Sequence, residues 1–283
     1  MSIISANQLA AYFRRIGYSG PTEPSLAVLS RLHQQHPSTM AFESLDPFLG
    51  RPVQLDAGAV HAKLVGARRG GYCHEHNLLF HDVLATLGFR VAALGARVVW
   101  FDPQRDAPLT HRLTLVDLPQ GRFIADVGFG AQTPTAPLRL EPMLAQATPH
   151  GTYRIMQTSE KFSLEMRLTD RWATMYRFLL EPLPPLDFEI MNWYMSTHPN
   201  SRFTQNLIVA RVVGERRVSL ANRKLVIRAP DGSVDEPILR SAADLAQVLD
   251  EVMGLEIPIT ADALWARVTG ANSAITPTPR WQR

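Results

Sequence analysis

Arg69-Gly-Gly-Tyr-Cys-His-Glu-His-Asn77 decides how the rest of this chain reads, because Cys73 is the only cysteine among 283 residues. Gly70 and Gly71 allow a tight turn ahead of it, and Leu79, Phe80, Val83, Leu84 and Leu87 recur after it at helical spacing up to Gly88. The pattern predicts that Cys73 opens a helix. In a helix's first turn the dipole and the unsatisfied amides favour an anion, so a reactive thiolate is stabilised there. Taken alone, a single cysteine is more commonly a small buried hydrophobe than a nucleophile. Its role depends on what the fold brings to it.

Two later residues supply candidates. His111 lies in Leu109-Thr-His-Arg-Leu-Thr-Leu-Val-Asp-Leu118, which alternates like a strand, and Asp126 lies in a second strand-like run, Arg122-Phe-Ile-Ala-Asp-Val127. Pro119-Gln120-Gly121 turns the chain between them. If Leu118 to Gly121 form a four-residue loop, Asp117 pairs with Arg122 and His111 becomes a diagonal neighbour of Asp126, about 7 Å away at Cα. A slip of one residue would put them on opposite faces. Asp126 is flanked by Ile124, Ala125 and Val127, and an unpaired carboxylate there would cost on the order of several kcal/mol. His111 is its natural partner. A strand-end aspartate capping loop amides and a core histidine are the plainer alternatives.

These residues carry a resemblance. Arg69 to Asn77, then Thr110-His111, then Asp126-Val-Gly-Phe-Gly130 resemble the arylamine N-acetyltransferase family in motif, order and spacing. Tyr12-Phe-Arg-Arg-Ile-Gly-Tyr18, Ala41-Phe-Glu-Ser-Leu-Asp46, Thr148-Pro-His-Gly-Thr-Tyr153 and Asn192-Trp-Tyr-Met-Ser-Thr-His-Pro199 agree, so the resemblance extends to about Leu207. It implies an α+β protein with an N-terminal helical bundle (1–88), a central β-barrel (89–205) and a C-terminal α/β lid (206–283), the first two forming a papain-like core. It also implies acetyl transfer from acetyl-CoA to an arylamine or arylhydrazine, in ping-pong order, through an acetyl-cysteine. Cys73, His111 and Asp126 would be the catalytic nucleophile, base and orienter. Phe42, Tyr72 and Phe129 match positions that line the family's acceptor pocket. Trp100, Thr110, Gly130 and Phe203 match positions around the cofactor's pantetheine and phosphates. Arg69 and Glu75 are expected to pair with each other or with backbone and hold the turn. Ser44, Met40-Ala41, His74 and Phe101-Asp102 depart from the family pattern without touching the triad. An amide synthase of polyketide biosynthesis, or a thiol hydrolase or transglutaminase-like enzyme, would use the same triad.

Composition sets the remaining bounds. With 46% hydrophobic and 19% charged residues the chain can bury large cores, and 29 Lys and Arg against 26 Asp and Glu leave a formal charge of +3. No dense basic block points to nucleic acid. One cysteine excludes an intrachain disulfide, and no signal peptide or long apolar run is evident, so the cytoplasm is the default compartment and no membrane partner is expected. His33 and His36 share a helix face, but without a third ligand a solvated pair is expected; Cys73, His74 and His76 lack a fourth ligand, so no metal site is expected.

Local signals place the elements. Ser5 and Gln8 form a capping box ahead of the Leu9, Tyr12, Phe13, Ile16 stripe, and Gly17 can end that helix. Leu26, Leu29, Leu32 and His33 predict a second helix stopping before Pro37. From Phe89 the period turns to alternation, with strands expected at 90–100, 109–118, 122–127, 153–156, 162–168 and 172–178, and later at 207–213, 217–220 and 224–227. Helices are expected from Ser241 to Met253, stopped by Gly254, and from Thr260 to Val268, with Ile275 to Arg283 as a loose tail.

Overall fold

The computed structural model describes residues 4–100, 102–104 and 106–270. Helix α1 (Ala6–Ile16) begins as its capping box requires, with Ser5 and Gln8 exchanging side-chain bonds to each other's amides, and ends on Gly17 in the left-handed region. Helix α2 (Leu26–Thr39), capped by Ser25, continues through Pro37 instead of stopping before it. The proline lies in the last turn, where it forfeits a single bond to the His33 carbonyl, and the Met40 amide still reaches the His36 carbonyl at 2.9 Å. Strand β1 (Phe42–Glu43) and helix α3 (Leu45–Phe48) come next, then helix α4 (Ala57–His61), which widens into π-type turns over Ala62–Gly66, and helix α5 (Cys73–Thr86). Tyr12, Leu29, Leu32, Leu64, Phe80, Val83 and Leu84 close the core between these helices.

Strands β2 (Arg90–Val98), β3 (Leu109–Leu118), β4 (Gly121–Ala125), β5 (Leu138–Arg139), β6 (Gln146–Thr148), β7 (Gly151–Thr158), β8 (Lys161–Arg167) and β9 (Trp172–Pro182) form one sheet in the order β5-β4-β3-β2-β9-β8-β7-β6. Its two edges meet through one side chain. The Gln146 amide accepts from the Arg139 N–H at 2.7 Å and donates to the Arg139 carbonyl at 2.9 Å, standing in for a missing strand rung and leaving the barrel nearly closed. Leu94, Leu113, Ile124, Tyr153, Ile155, Leu164 and Tyr176 fill its interior. Val116, Phe123 and Ala125 face the other way, into the helical core, so β3 is buried on both sides.

The β3–β4 register is the one the sequence predicts. Asp117 pairs with Arg122; Leu118 also pairs with Gly121, so the turn is two residues long where a four-residue loop is expected. The first barrel strand stops at Val98, short of Trp100.

Helices α6 (Pro185–Thr197) and α7 (Arg202–Gln205) lead to strands β10 (Ile208–Val213), β11 (Arg216–Ala221), β12 (Lys224–Arg228) and β13 (Val234–Asp235). Helix α8 (Ala242–Gln247) widens over Val248–Val252 before Gly254, and α9 (Ala261–Gly270) closes the described chain. The second sheet runs β1-β10-β11-β12-β13, so a strand from the N-terminal third begins the C-terminal sheet. Arg217 of β11 fastens that sheet to the barrel, donating to the His150 carbonyl, the Ala131 carbonyl and the Tyr153 hydroxyl at 2.7–2.9 Å. The architecture is α+β, as expected. Among the described residues no helix is long and apolar enough to cross a membrane. Phe101 and the expected tail from Ile275 to Arg283 lie outside the described residues.

Candidate active site

Cys73 is the first residue of α5, 5% exposed, and its amide is one of the four that a helix N-terminus leaves without an intrahelical acceptor. The two glycines before it are required by space, not by a positive φ. A Cβ on Gly70 would lie 1.9 Å from the Ala41 carbonyl oxygen, and one on Gly71 would lie 2.7 Å from the Glu75 carboxylate. Glu75 reaches back to accept the Tyr72 amide at 3.1 Å and takes Lys63 at 2.7 Å. Arg69 instead meets Glu43 at 2.7 Å and Asp46 at 3.1 Å. Arg69 and Glu75 thus do not pair with each other: Glu75 takes the expected backbone route, Arg69 pairs with Glu43 and Asp46 from the preceding elements, and Lys63 bridges Glu75 to Asp46.

Strand β3 carries the candidate base, His111. Ala96 pairs with His111 and Arg97 with Leu109, leaving Thr110 as the extra residue of a bulge. A bulge re-aims the side chains beside it. Here the Thr110 carbonyl comes to 3.7 Å from the Cys73 Sγ, and His111 turns its Nε2 to Asp126 Oδ2 at 2.7 Å, leaving Nδ1 for the thiol. His111 and Asp126 are 2% and 1% exposed. Burial alone would lower the imidazole's pKa. The Asp126 carboxylate, by charge and hydrogen bond, and then the Cys73 side chain outweigh burial and raise it to about 10. Burial likewise pushes Asp126 up, but His111, Asn77 and the Gly128 amide bring its carboxyl below the ordinary value.

Three consecutive amides around the carboxylate are captured. His33 Nε2 accepts from the Asp126 amide at 3.1 Å, Asn77 Oδ1 from the Val127 amide at 3.0 Å, and Asp126 Oδ1 from the Gly128 amide at 3.0 Å. Asn77 Nδ2 also donates to Asp126 Oδ1 at 2.9 Å. A Cβ on Gly128 would sit 3.1 Å from the Cys73 Cα, so the loop after β4 presses directly on the start of α5. The expected solvated pair, His33 and His36, is fully buried. Its rings have internal partners: His36 links the Tyr12 hydroxyl at 3.0 Å to His76 at 2.8 Å, and His76 donates to the Ala41 carbonyl at 3.0 Å.

The aromatic candidates separate into two groups. Phe42, Tyr72 and Phe203 pack together, with Phe203 at 5.9 Å from Phe42 and 5.4 Å from Tyr72, and Gly130 lies under the Phe42 ring. The Tyr72 hydroxyl is buried against the Asn192 side-chain oxygen. Phe129 stands edge-on to His111 at 5.1 Å, with Tyr176 packed against both rings. Trp100 belongs to the barrel interior. Phe203 thus lies with the acceptor-wall candidates rather than beside Trp100 and Thr110. Sequence patterns do not mark Tyr176, His33 or Asn77 as parts of this site. Only Asn77 has a legible signal, four residues after Cys73 and so one helical turn along the same face. Among the described residues no cluster of His, Cys, Asp or Glu is disposed to hold a metal ion.

This geometry can be set beside known proteins. A family model described as N-acetyltransferase matches residues 25–262. The arylamine N-acetyltransferase of Mycobacterium tuberculosis is 42% identical, covering 95% of this chain and 99% of its own length, and that of Escherichia coli K12 is 40% identical over 87% and 88%. The solved structure of Mycobacterium marinum arylamine N-acetyltransferase in complex with CoA superimposes with a TM-score of 0.89 at 39% identity, covering 93% of this chain and 99% of that one. On sequence and structure together, this chain belongs to the arylamine N-acetyltransferase family, whose members are acyltransferases.

Proposed function

We propose that this chain transfers an acetyl group from acetyl-CoA to the nitrogen of an arylamine or arylhydrazine, through an acetyl-Cys73 intermediate and in ping-pong order. The observation that carries this reading is the buried line Cys73–His111–Asp126 at a helix N-terminus, lined by Phe42, Phe129 and Phe203. Asp126 favours the charged imidazole, and a thiolate beside an imidazolium is the ion pair that thioester exchange needs. The thiolate attacks the thioester carbonyl, the Cys73 amide donates to the developing oxyanion, the bond to the CoA sulfur breaks, and the leaving thiol takes the His111 proton. An amine then attacks the acetyl-cysteine and gives its proton to His111, and the amide leaves as the thiolate re-forms.

Flat walls suit an aromatic acceptor. Phe42, Tyr72 and Phe129 are assigned to that pocket, joined by Phe203, which packs against Phe42 and Tyr72. Trp100, Thr110 and Gly130 are assigned to the cofactor; the use of acetyl-CoA itself is supported by the CoA complex of the M. marinum relative. The working units are 1–88 with the nucleophile, 89–205 with the His and Asp, and 206–283 as the lid, acting in the cytoplasm without a metal.

Intact-mass analysis with acetyl-CoA and no acceptor tests the intermediate. One acetyl group should add to the protein, leave when an arylamine is supplied, and never appear on Cys73→Ser, whose turnover should fall roughly a thousandfold or more. Initial rates over a grid of acetyl-CoA and arylamine should give parallel double-reciprocal lines, and an aliphatic amine of similar basicity should be poorer. Intersecting lines would reject the acetyl-enzyme order, and equal aryl and aliphatic specificity would reject the pocket.

A further inference from the structure

His33 is a poor residue for packing alone. It is completely buried on α2, with its ring edge-on to Phe80 at 5.6 Å, and its Nδ1 has no hydrogen-bond partner among the described residues. An unpartnered buried nitrogen is a defect that an apolar side chain would avoid, so packing alone does not account for an imidazole here. The one bond the ring does make runs 93 residues along the chain, from the Asp126 amide to its Nε2 at 3.1 Å.

The direction of that bond settles the tautomer. A backbone N–H only donates, so Nε2 must be unprotonated and the single ring proton must sit on Nδ1. Burial holds the ring in this neutral form, lowering its pKa to about 4 against the opposing pull of Asp126. Asp126 is already gripped from the other side, where Asn77 holds its carboxylate and the next amide. The Asp126 backbone is thus clamped between α2 and α5, and only its Oδ2 is committed to His111.

We infer that His33 is a positioning residue for Asp126, fixing the peptide that carries the carboxylate so that Oδ2 meets the His111 Nε2 at hydrogen-bond distance. The inference rests on the triad reading above. A loosened Asp126 would orient and charge the imidazole less well, and the ion pair with Cys73 would form less readily at mildly acid pH.

The test measures the pH profile of Cys73 alkylation by iodoacetamide in the full chain, alongside thermal unfolding, for the wild type, His33→Leu and His33→Gln. Leucine removes the acceptor; glutamine keeps an oxygen that can take the Asp126 amide. Wild-type alkylation should persist well below the range in which an ordinary thiol ionises. His33→Leu should be about fivefold to tenfold slower near pH 6, with its profile moved to higher pH, and His33→Gln should restore most of the loss. A wild-type profile rising only in the ordinary thiol range would overturn the triad reading itself. A low wild-type profile that His33→Leu shares, or a loss that glutamine does not rescue, overturns the role of His33 alone. If His33→Leu does not fold, nitrogen-15 histidine spectra of the wild type decide the matter, since a protonated His33 Nε2 at pH 7 excludes this bond.

Discussion

At the scale of single residues, Asp126 is the charge on which the site turns. Burial opposes a charged His111, and the carboxylate overcomes it. Asp126→Asn keeps the shape and can still bond Asn77 and the Gly128 amide, but it removes the charge and leaves burial to lower the imidazole. Alkylation of Cys73 at pH 6 should then slow by roughly tenfold to a thousandfold, with the profile displaced upward. An unchanged profile would mean that the helix terminus alone activates the thiol. The pairing of His111 with Asp126 is legible in the sequence because one strand register satisfies both Asp117–Arg122 and a buried carboxylate. The partners of Arg69 are not legible, since Glu43 lies 26 residues away and no local periodicity links the two. Burial of His33 and His36 escapes the sequence for the same reason: their partners come from α1, α5 and the end of β4.

Between elements, the site depends on two close approaches. The loop after β4 packs against α5 through Gly128, where an added methyl would press on the Cys73 Cα at 3.1 Å and the Asn77 Nδ2 at 3.0 Å. Gly128→Ala should cost about 1–3 kcal/mol of stability and lower kcat/KM by about tenfold or more, because backbone must move between Cys73 and Asp126. An alanine variant with full activity would show that the loop yields freely. The second approach joins the C-terminal sheet to the barrel through Arg217, whose three charge-assisted bonds explain why the Thr148 to Tyr153 stretch matters: it supplies the His150 carbonyl and the Tyr153 hydroxyl. Arg217→Met should destabilise by about 2–4 kcal/mol in denaturant titrations, and a change within error would relegate the anchor to geometry. Strand and helix identities are readable from periodicity because each element buries a regular face. The bulge at Thr110, the Gln146 clasp and the helix running through Pro37 are not, because each is decided by a neighbour distant in sequence.

Across the whole molecule, buried histidines set the response to acid. Burial lowers His33, His76 and His81 to about 4 and His74 to about 3, and it takes His36 well below its usual value. Below pH 6.5 the unfolded chain therefore binds protons that the fold declines, and stability falls as pH drops toward 4, by about 1.4 kcal/mol per pH unit for each such proton. Asp82, raised to about 6 by burial against the pull of Arg112, partly offsets this by taking a proton in the folded state. His111 has the opposite sign: its contribution is full below 6.5 and is lost as pH rises through about 10. Stability should peak near neutrality. His74 isolates one component, because its ring packs edge-on to Tyr72 at 5.5 Å and Phe188 at 6.3 Å like an aromatic, while neither nitrogen has a partner among the described residues. His74→Phe should keep that packing and remove one declined proton. Guanidinium unfolding midpoints between pH 4.5 and 7.5 should show the variant gaining progressively over the wild type as pH falls, with a shallower acid slope. Parallel slopes would mean that His74 takes up its proton in the folded protein, and that polar contacts reach a ring which the surrounding aromatic packing leaves dry.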